Sequence, residues 1–301
     1  MTLPIYTIQE IDAMIAGLDA RIDALEAAPP GGGGGGSSFS PWLDARAFGV
    51  SASNPDNRTA LQAAIDAARS NGMRRVALPD VHMNLSGPVD ISGVIVEGTG
   101  PFSGCALVCT TPGADCVTIN GHHNGVWLPG GRLANMGIFA APGVACGIGV
   151  KIGNSDKLPD RFALEGLRIT TAVPQAGEPH GTWLNAIWGV GTGRLSPPGI
   201  RGATIRDIEF FNVRSPGIVL HGITNLRLES VNGFTGSGVQ AMTGIWIGGT
   251  AAVRSNDVQV SDCRVDGPIN VTNTEYSGFE GRFWGGIQYD ASAVGCVFST
   301  D

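Results

Sequence analysis

Between Leu133 and Phe298 one arrangement of apolar and polar positions keeps returning along the chain. Each repeat has the form apolar-x-x-apolar-x-apolar, and a short segment headed by isoleucine follows every repeat but the last. The repeats are Leu133/Met136/Ile138, Leu164/Leu167/Ile169, Ile205/Ile208/Phe210, Leu228/Val231/Gly233, Val260/Cys263/Val265 and Ala293/Cys296/Phe298. The isoleucine segments begin at Ile148, Ile187, Ile218, Ile245 and Ile287. Two recurring units that alternate in this way predict a solenoid.

The third residue of each repeat is of a type that enters a tight turn at low cost, through a left-handed backbone or a side chain that bonds its own backbone. These residues are Asn135, Gly166, Asp207, Ser230, Asp262 and Gly295. After this corner the chain alternates with period two, as a strand with one buried face does. We therefore predict an all-β fold, a single-stranded parallel β-helix, and expect it to be right-handed because parallel crossovers usually have that hand.

The isoleucine segments predict two inward columns of side chains. We expect the five leading isoleucines to stack in the first column. The second column is then Val150, Gly189, Leu220, Ile247 and Tyr289.

Residues 7–28 predict an amphipathic helix with a heptad seam. The seam residues are Ile8, Ile11, Ile15, Leu18, Ile22 and Leu25, at alternating spacings of three and four. Such a seam indicates a coiled coil, and isoleucine at both seam positions of the first heptad favours three strands. The alternative is that the helix packs on its own body. We disfavour it because residues 29–38 contain two prolines, six glycines and two serines and behave as a flexible linker.

A second helix is predicted from Asn57 to Arg69, with Asp56 or Asn57 as N-cap and Gly72 as the C-terminal stop. Its apolar face is suited to cover the exposed end coil of a solenoid. The expected organisation is a coiled-coil anchor at 1–28, a linker at 29–38, a cap at 39–92 and the β-helix at 93–301.

Composition excludes some partners. The chain has 301 residues and a net charge of −7, so a nucleic-acid surface is not expected. No basic segment leads into a long apolar one, as in a secretory signal, and no apolar run reaches the roughly 18–20 residues of a membrane span. Membrane insertion is not expected.

The six cysteines lack zinc-site spacing, since Cys105 and Cys109 form a single C-x3-C with no second pair. We expect no metal site and no cofactor. Cys263 and Cys296 share an inward column and are predicted to lie in neighbouring coils, about 4.8 Å apart, a spacing that fits a disulfide. Small buried thiols in a reduced compartment are the favoured interpretation.

The N-terminal part of the body resembles a known family. The quoted segments are Ala47-Phe48-Gly49, residues 54–68, Val76-Ala77-Leu78-Pro79, residues 85–89 and residues 94–100. They look like the cap of the pectate-lyase-like superfamily, in the branch used by bacteriophage tailspikes, and the resemblance covers roughly residues 44–300. The chain departs from the family pattern at Ser51-Ala52-Ser53, where Gly-Asp-Gly is usual, and at Asp56-Asn57, where Asp-Asp is usual.

The resemblance implies a homotrimeric virion spike or fibre that binds, and in some members cuts, a bacterial surface polysaccharide. We expect a particle of phage or gene-transfer-agent type, assembled in the bacterial cytoplasm, with the N-terminal helix docked to other virion proteins. Two alternatives stay open. One is a polysaccharide depolymerase, a hydrolase or lyase. The other is a purely structural base spike that holds another fibre protein.

Two insertions, 170–186 and 266–286, are predicted to leave the solenoid at the same edge. They combine aromatic rings, which stack on sugars, with polar groups that bond hydroxyls. The candidate sugar-binding residues are Trp183, Tyr276, Arg282 and Trp284, and the candidate catalytic carboxylates are Glu178, Glu275 and Glu280. Subunit contacts or solvated loops are the alternatives.

Trp188 and Trp246 share an outward column of the isoleucine segments, with Val219 between them and Gln288 beyond. An exposed apolar stripe indicates an interface. Contact with a neighbouring subunit is favoured here over sugar stacking. Asp207 and Asp262 are interpreted as corner residues and not as catalytic acids, and Glu209 is expected to form an exposed ion pair with Arg168.

Overall fold

A computed structural model of the chain describes residues 42–101, 104–123, 126–128, 130–153, 159, 161–173, 178–190, 200–234, 244–249, 255–275, 277–281, 287–289 and 297–300. The chain divides into two units, Met1–Ser40 and Pro41–Asp301. The predicted coiled coil and the linker fall in the first unit and lie outside the described residues.

The described part contains one α-helix, α1 (Arg58–Ser70), preceded by a 3-10 turn at Ala45–Phe48. The strands, in chain order, are β1 (Leu43–Asp44), β2 (Arg75–Ala77), β3 (His82–Leu85), β4 (Val89–Asp90), β5 (Ile95–Glu97), β6 (Ala106–Cys109), β7 (Val117–Ile119), β8 (His122–His123), β9 (Val126–Trp127), β10 (Arg132–Ala140), β11 (Ile148–Ile152), β12 (Ala163–Thr171), β13 (Asn185–Val190), β14 (Ile200–Phe211), β15 (Ile218–His221), β16 (Ile223–Phe234), β17 (Ile245–Gly248), β18 (Ser255–Ser261), β19 (Arg264–Val265), β20 (Ile269–Val271), β21 (Thr274–Glu275), β22 (Gly278–Gly281), β23 (Ile287–Tyr289) and β24 (Val297–Thr300).

The strands form two large sheets that the chain visits alternately. One sheet follows the order β5-β10-β12-β14-β16-β18-β22-β24, and the other follows β4-β7-β11-β13-β15-β17-β20-β23. Among the described strands every pairing is parallel except that of β8 with β9. This mostly β architecture, in which the successive coils contribute strands to both sheets, agrees with the predicted parallel β-helix.

Stacked apolar columns form the core. In the first sheet the column is Leu133, Leu164, Ile205, Leu228, Val260 and Phe279, and in the second it is Val117, Val150, Ile187, Ile218, Ile245 and Ile269. Every one of these side chains is buried. Burial of apolar surface along the whole stack is the main stabilising term of such a fold.

The predicted corner residues are confirmed wherever the structure describes them. Positive φ angles between 51° and 58° occur at Asn135, Gly166, Asp207, Ser230 and Asp262. The long strands β10, β12, β14 and β16 continue through these positions, because a single left-handed residue can be accommodated without ending the ladder.

The register of the first isoleucine segment differs from the prediction. Val150, not Ile148, pairs with Ile187, and Ile148 pairs with Asn185. A shift of two residues leaves the same side chains facing inward, so the period-two pattern alone does not reveal it.

The predicted insertion at 266–286 is also wrong, because much of it is a further coil. Its strand β20 pairs with β17 on one side and β23 on the other, and β22 lies between β18 and β24. Phe279 therefore stacks on Val260, and the strand that follows Cys296 pairs with β22. Cys296 itself lies outside the described residues, so the expected proximity of Cys263 and Cys296 stays a prediction.

Helix α1 covers the first coils as predicted, with Leu61, Ala64, Ile65 and Ala68 buried. Asn57 occupies the N-cap position, but its buried side chain bonds the preceding loop: Ser51 N donates to Oδ1 over 2.9 Å. Asp56 instead accepts from Arg58 N over 3.0 Å at the helix start. Gly72, with φ of 76°, follows the helix end. Within the described residues, no helix combines the length and apolar character required to cross a membrane.

Candidate functional site

The outer face of the first sheet carries a groove of about 590 Å³ near β16, β18, β22 and β24. Its lining residues are Arg227, Leu228, Glu229, Asp257, Gln259, Val260, Ser261, Gly278, Phe279 and Val297. We call this the outer groove. Leu228, Val260 and Phe279 are core residues, so the groove offers ligands their backbone and the polar side chains of the neighbouring positions.

Parallel register places six lining residues of the outer groove in two rows. The first row is Arg227, Gln259, Gly278 and Val297, and the second begins with Glu229 beside Ser261. Each step along a row is about 4.8 Å. Arg227, Glu229, Asp257 and Gln259 are exposed because outward positions alternate with core positions along each strand.

The chemistry of the outer groove suits a ligand rich in hydroxyl groups. Arg227 supplies donors, Glu229 and Asp257 supply acceptors, and Gln259 supplies both. Gly278 keeps the row open, since a Cβ at that position would lie 2.6 Å from the Gln259 side-chain oxygen. Val297, with 68% of its surface exposed, adds an apolar patch at one end.

The outer face of the second sheet carries the predicted tryptophan stripe. The register runs Lys151, Trp188, Val219, Trp246, Asn270, so the two indoles stand two strands, about 10 Å, apart. Asn270 intervenes before Gln288, where the sequence predicted direct neighbours. Both tryptophans are half-buried.

Charged residues flank the tryptophan stripe at its Trp188 end. The Lys151 ammonium lies 5.8 Å from the centre of the Trp188 ring and 3.0 Å from an Asp115 carboxylate oxygen. The Trp246 indole nitrogen is buried and has no hydrogen-bond acceptor among the described residues. Burying an N–H without an acceptor is costly, so Trp246 is a locally unfavourable feature of this face.

The predicted sugar contact by Trp183 is wrong. Trp183 is fully buried, and its indole N–H donates to the carbonyl oxygen of Thr170 over 2.7 Å. Its backbone forms an isolated parallel bridge with Val213, so this residue belongs to the solenoid wall and not to a loop. No ring face remains on which a sugar could stack.

The three candidate carboxylates do not come together as one site. Glu178 is exposed in the connection between β12 and β13. Glu275 lies in β21, which pairs with β18. Strand β18 is three strands from β12 in the order of the first sheet. The backbone of Glu280 lies in β22. Phe279 of that strand pairs with Val260, so the next residue along, Glu280, lies beside Ser261 at the outer groove.

Other predicted site residues lie outside the described part of the chain. Tyr276, Arg282 and Trp284 are among them, as are the seam residues of the N-terminal helix. Tyr276 and Arg282 nevertheless flank in sequence the stretch 277–281, which contributes Gly278 and Phe279 to the outer groove.

The sequence-based predictions did not include the outer groove or a second aromatic cluster. Phe211 and Phe234 stack with ring centres 5.3 Å apart on the outer face, and the Arg168 guanidinium lies 5.7 Å from the Phe211 ring. Arg168 also forms the predicted ion pair with Glu209, at 3.4 Å. The outward columns of the repeat contained this signal, because Phe211 and Phe234 occupy the same column.

No group of three or more histidine, cysteine, aspartate or glutamate side chains suited to a metal ion occurs within the part of the chain that the structure describes.

Comparison with known proteins gives fold-level likeness only. No protein-family model matches the chain, and no curated protein matches it. Similar solved structures include ORF18 of Geobacillus virus E2 (12% identity, TM-score 0.34, covering 100% of this chain and 65% of that one). They also include the A-module of the Azotobacter vinelandii mannuronan C-5 epimerase AlgE6 (13%, 0.43, 85% and 91%) and tailspike protein 3 of bacteriophage CBA120 (12%, 0.32, 89% and 56%).

This chain thus spans less than two thirds of the ORF18 chain. These likenesses are too low to show a family or an activity, and the fold rests on the strand pairing described above.

Proposed function

We propose that this protein is a homotrimeric spike or fibre protein of a phage or phage-like particle, and that it contacts a host surface polysaccharide through the outer groove. The outer groove is the observation that supports a polysaccharide ligand, because exposed charged and amide side chains line it on a rigid sheet. Polysaccharides present many hydroxyl groups along an extended chain, and a repeating strand surface matches that shape.

Two sequence-based candidates flank the described part of the outer groove in sequence. Strand β22 carries Gly278 at the groove, and Tyr276 and Arg282 flank that strand in sequence. A tyrosine ring would supply a stacking face and an arginine further donors. The spike assignment itself is supported by the resemblance of the cap and by the N-terminal heptad seam.

The test uses the full-length chain on an array of bacterial capsular and lipopolysaccharide glycans. We expect a subset of glycans to bind wild-type protein, and expect Arg227→Ala and Gln259→Ala each to weaken binding about tenfold, the size of one lost hydrogen bond to a charged or amide group. Thr118→Ala, on the outer face of the second sheet, is the control and should bind as wild type.

Two outcomes contradict this proposal. Glycan binding that survives both groove substitutions places the contact elsewhere. An absence of binding to any glycan, combined with recovery of another virion protein in a pull-down, favours the structural base spike.

The tryptophan stripe has two possible occupants, a neighbouring subunit or a sugar. Trp188→Ala in the full-length chain separates them. Dissociation of the oligomer in sedimentation indicates a subunit interface, whereas unchanged mass with weakened glycan binding indicates a sugar contact.

A second candidate function is glycan hydrolysis. The register sets Glu280 two strands from Glu229, with Ser261 between them, so their backbones are about 10 Å apart. Carboxyl groups in inverting glycosidases stand roughly 6.5–9.5 Å apart, a separation that these backbone positions allow. New reducing ends after incubation with a bound glycan, abolished by both Glu229→Gln and Glu280→Gln, would establish this activity. Intact glycan with wild-type protein would exclude hydrolysis of that glycan.

A further inference from the structure

Three buried cysteines meet at one corner of the solenoid. Cys109 ends β6, and Cys116 immediately precedes β7 in the same coil. Cys146 precedes β11 in the next coil, whose strand β10 pairs with β6. All three side chains are fully buried, and all are free thiols.

Cys109 and Cys146 are in direct contact across the two coils. The Cys146 sulfur lies 3.7 Å from the carbonyl oxygen of Cys109. This contact joins residues far apart in sequence, so a covalent bond here would tie one coil to the next.

We propose that Cys109 and Cys146 are a dithiol pair that oxidises to an intramolecular disulfide between adjacent coils. The chain folds with both thiols reduced, and a two-electron oxidant converts them when this corner opens locally, because both sulfurs are fully buried in the closed coil.

The environment sets which sulfur reacts first. The hydrogen bond from Cys146 lowers the pKa of Cys109 and outweighs the opposing effect of burial. The same hydrogen bond, together with burial, raises the pKa of Cys146. Because the thiolate is the reactive form, Cys109 is the attacking group.

The other described thiols lack this arrangement. Burial raises the pKa of Cys105 to about 11 and that of Cys263 to about 12. Burial also raises the pKa of Cys116, and the nearby Cys109 adds to that effect. These three cysteines are therefore expected to stay reduced, and they provide matched controls.

The oxidation can be written with diamide, a small diazene oxidant. The Cys109 thiolate adds to one nitrogen of the N=N bond, and the other nitrogen takes up a proton. The Cys146 sulfur then attacks the Cys109 sulfur, the S–N bond breaks, and the hydrazine leaves with the second proton. Two thiols lose two electrons and two protons, and the diazene becomes a hydrazine.

Peptide mapping of the full-length protein tests the pairing. Trypsin cuts after Arg75, Arg132 and Lys151, which places Cys109 in peptide 76–132 and Cys146 in peptide 133–151. After diamide treatment, alkylation in denaturant and digestion without reductant, we expect these two peptides to be linked. Digestion before Asp115 then separates Cys109 from Cys116.

We expect free thiols to fall from six to four per chain on oxidation. Cys109→Ser and Cys146→Ser should each abolish the link, while Cys105→Ser and Cys263→Ser should retain it. The oxidised wild-type protein should unfold at a higher denaturant concentration than the reduced protein, and Cys109→Ser should remove that difference.

Two results would overturn the proposal. One is six free thiols after prolonged incubation with excess diamide. The other is a link through Cys105 or Cys116, or between chains. Cys146→Ala gives a second variant at the partner position if Cys109→Ser fails to fold.

Discussion

At the scale of single residues, the corners of the solenoid depend on a backbone conformation that most side chains avoid. Asn135, Asp207, Ser230 and Asp262 all have positive φ, and Gly166 occupies the same column. The left-handed region costs an ordinary L-residue roughly 1–2 kcal/mol, and asparagine and aspartate reduce that cost by local hydrogen bonds. Selection of these residue types at one position of the repeat therefore has a direct physical cause.

Ser230→Val tests this conformation. A β-branched side chain is poorly tolerated at a φ of 53°, so we expect a loss of about 1–2 kcal/mol in the free energy of unfolding, measured by urea denaturation. Ser261→Val is the matched control on β18, in extended backbone, and should change stability little. Equal losses from the two substitutions would show that the corner is not the cause.

A second residue-scale prediction concerns Asp56, which joins the start of α1 to the loop after β3. Its carboxylate accepts from Ser86 Oγ at 2.6 Å, from Ser86 N at 3.1 Å and from Arg58 N at 3.0 Å. Partial burial raises the pKa of Asp56, but these hydrogen bonds outweigh it and lower the pKa below its usual value.

Because the folded-state pKa is depressed, the stabilisation by Asp56 is present above the unfolded-state pKa of about 3.9 and is lost as the pH falls through the folded-state value. We expect Asp56→Asn to lower the urea midpoint at pH 6 and to have a smaller effect near pH 2. Asp262→Asn removes the same charge at an exposed corner and is the control. A deficit for Asp56→Asn that is independent of pH would argue against this account.

At the scale of elements, one column of the core shows how neighbouring coils share volume. Phe210 is fully buried and pairs with Gly233 in the next strand. A Cβ on Gly233 would lie 2.2 Å from the Phe210 ring, and one on Gly217 would lie 2.0 Å from it. The large ring therefore fills space that two neighbouring positions leave empty.

Gly233→Ala should consequently destabilise the protein by about 1–3 kcal/mol through overpacking. Phe210→Leu removes the clashing ring atoms, so the double variant should be more stable than the sum of the single effects predicts. Gly87→Ala, where the three atoms nearest to a Cβ all belong to the flexible Arg58 side chain, is the control. Strict additivity of the two substitutions in urea unfolding would contradict shared volume in this column.

The burial of Trp183 also depends on how neighbouring elements pack. Its place in the sequence, between a long strand and an isoleucine segment, suggested an exposed loop. The isolated bridge to Val213 and the bond to Thr170 instead draw it into the wall. An indole ring gains more from burial with a satisfied N–H than from exposure, and only the fold determines whether an acceptor is available.

At the scale of the whole molecule, oligomerisation is expected to reside in the N-terminal unit. The heptad seam of Ile8, Ile11, Ile15, Leu18, Ile22 and Leu25 predicts three strands. The body, Pro41–Asp301, is a separate unit.

We expect sedimentation of the full-length chain to give a trimer, and a version lacking residues 1–38 to give a monomer with the same circular dichroism signature of β structure. Ile15→Asp, at the centre of the seam, should have the same effect as the deletion, while Asp12→Asn, outside the seam, should leave the trimer intact. A truncated body that remains trimeric would place the main interface in the β-helix.

The sequence by itself determined the repeat, the corner column, the apolar face of α1 and the parallel stacking, because each of these follows from a local period or a residue's backbone preference. Tertiary structure alone decided the register of Ile148, the coil formed by β20 and β22, and the burial of Trp183. The outer groove also belongs to this second group, since it joins side chains of β16 and β18 with the backbone of β22. When parallel strands are separated by long and unequal connections, the local sequence of a strand does not specify which strand it pairs with. The pairing is therefore determined only when the coils stack.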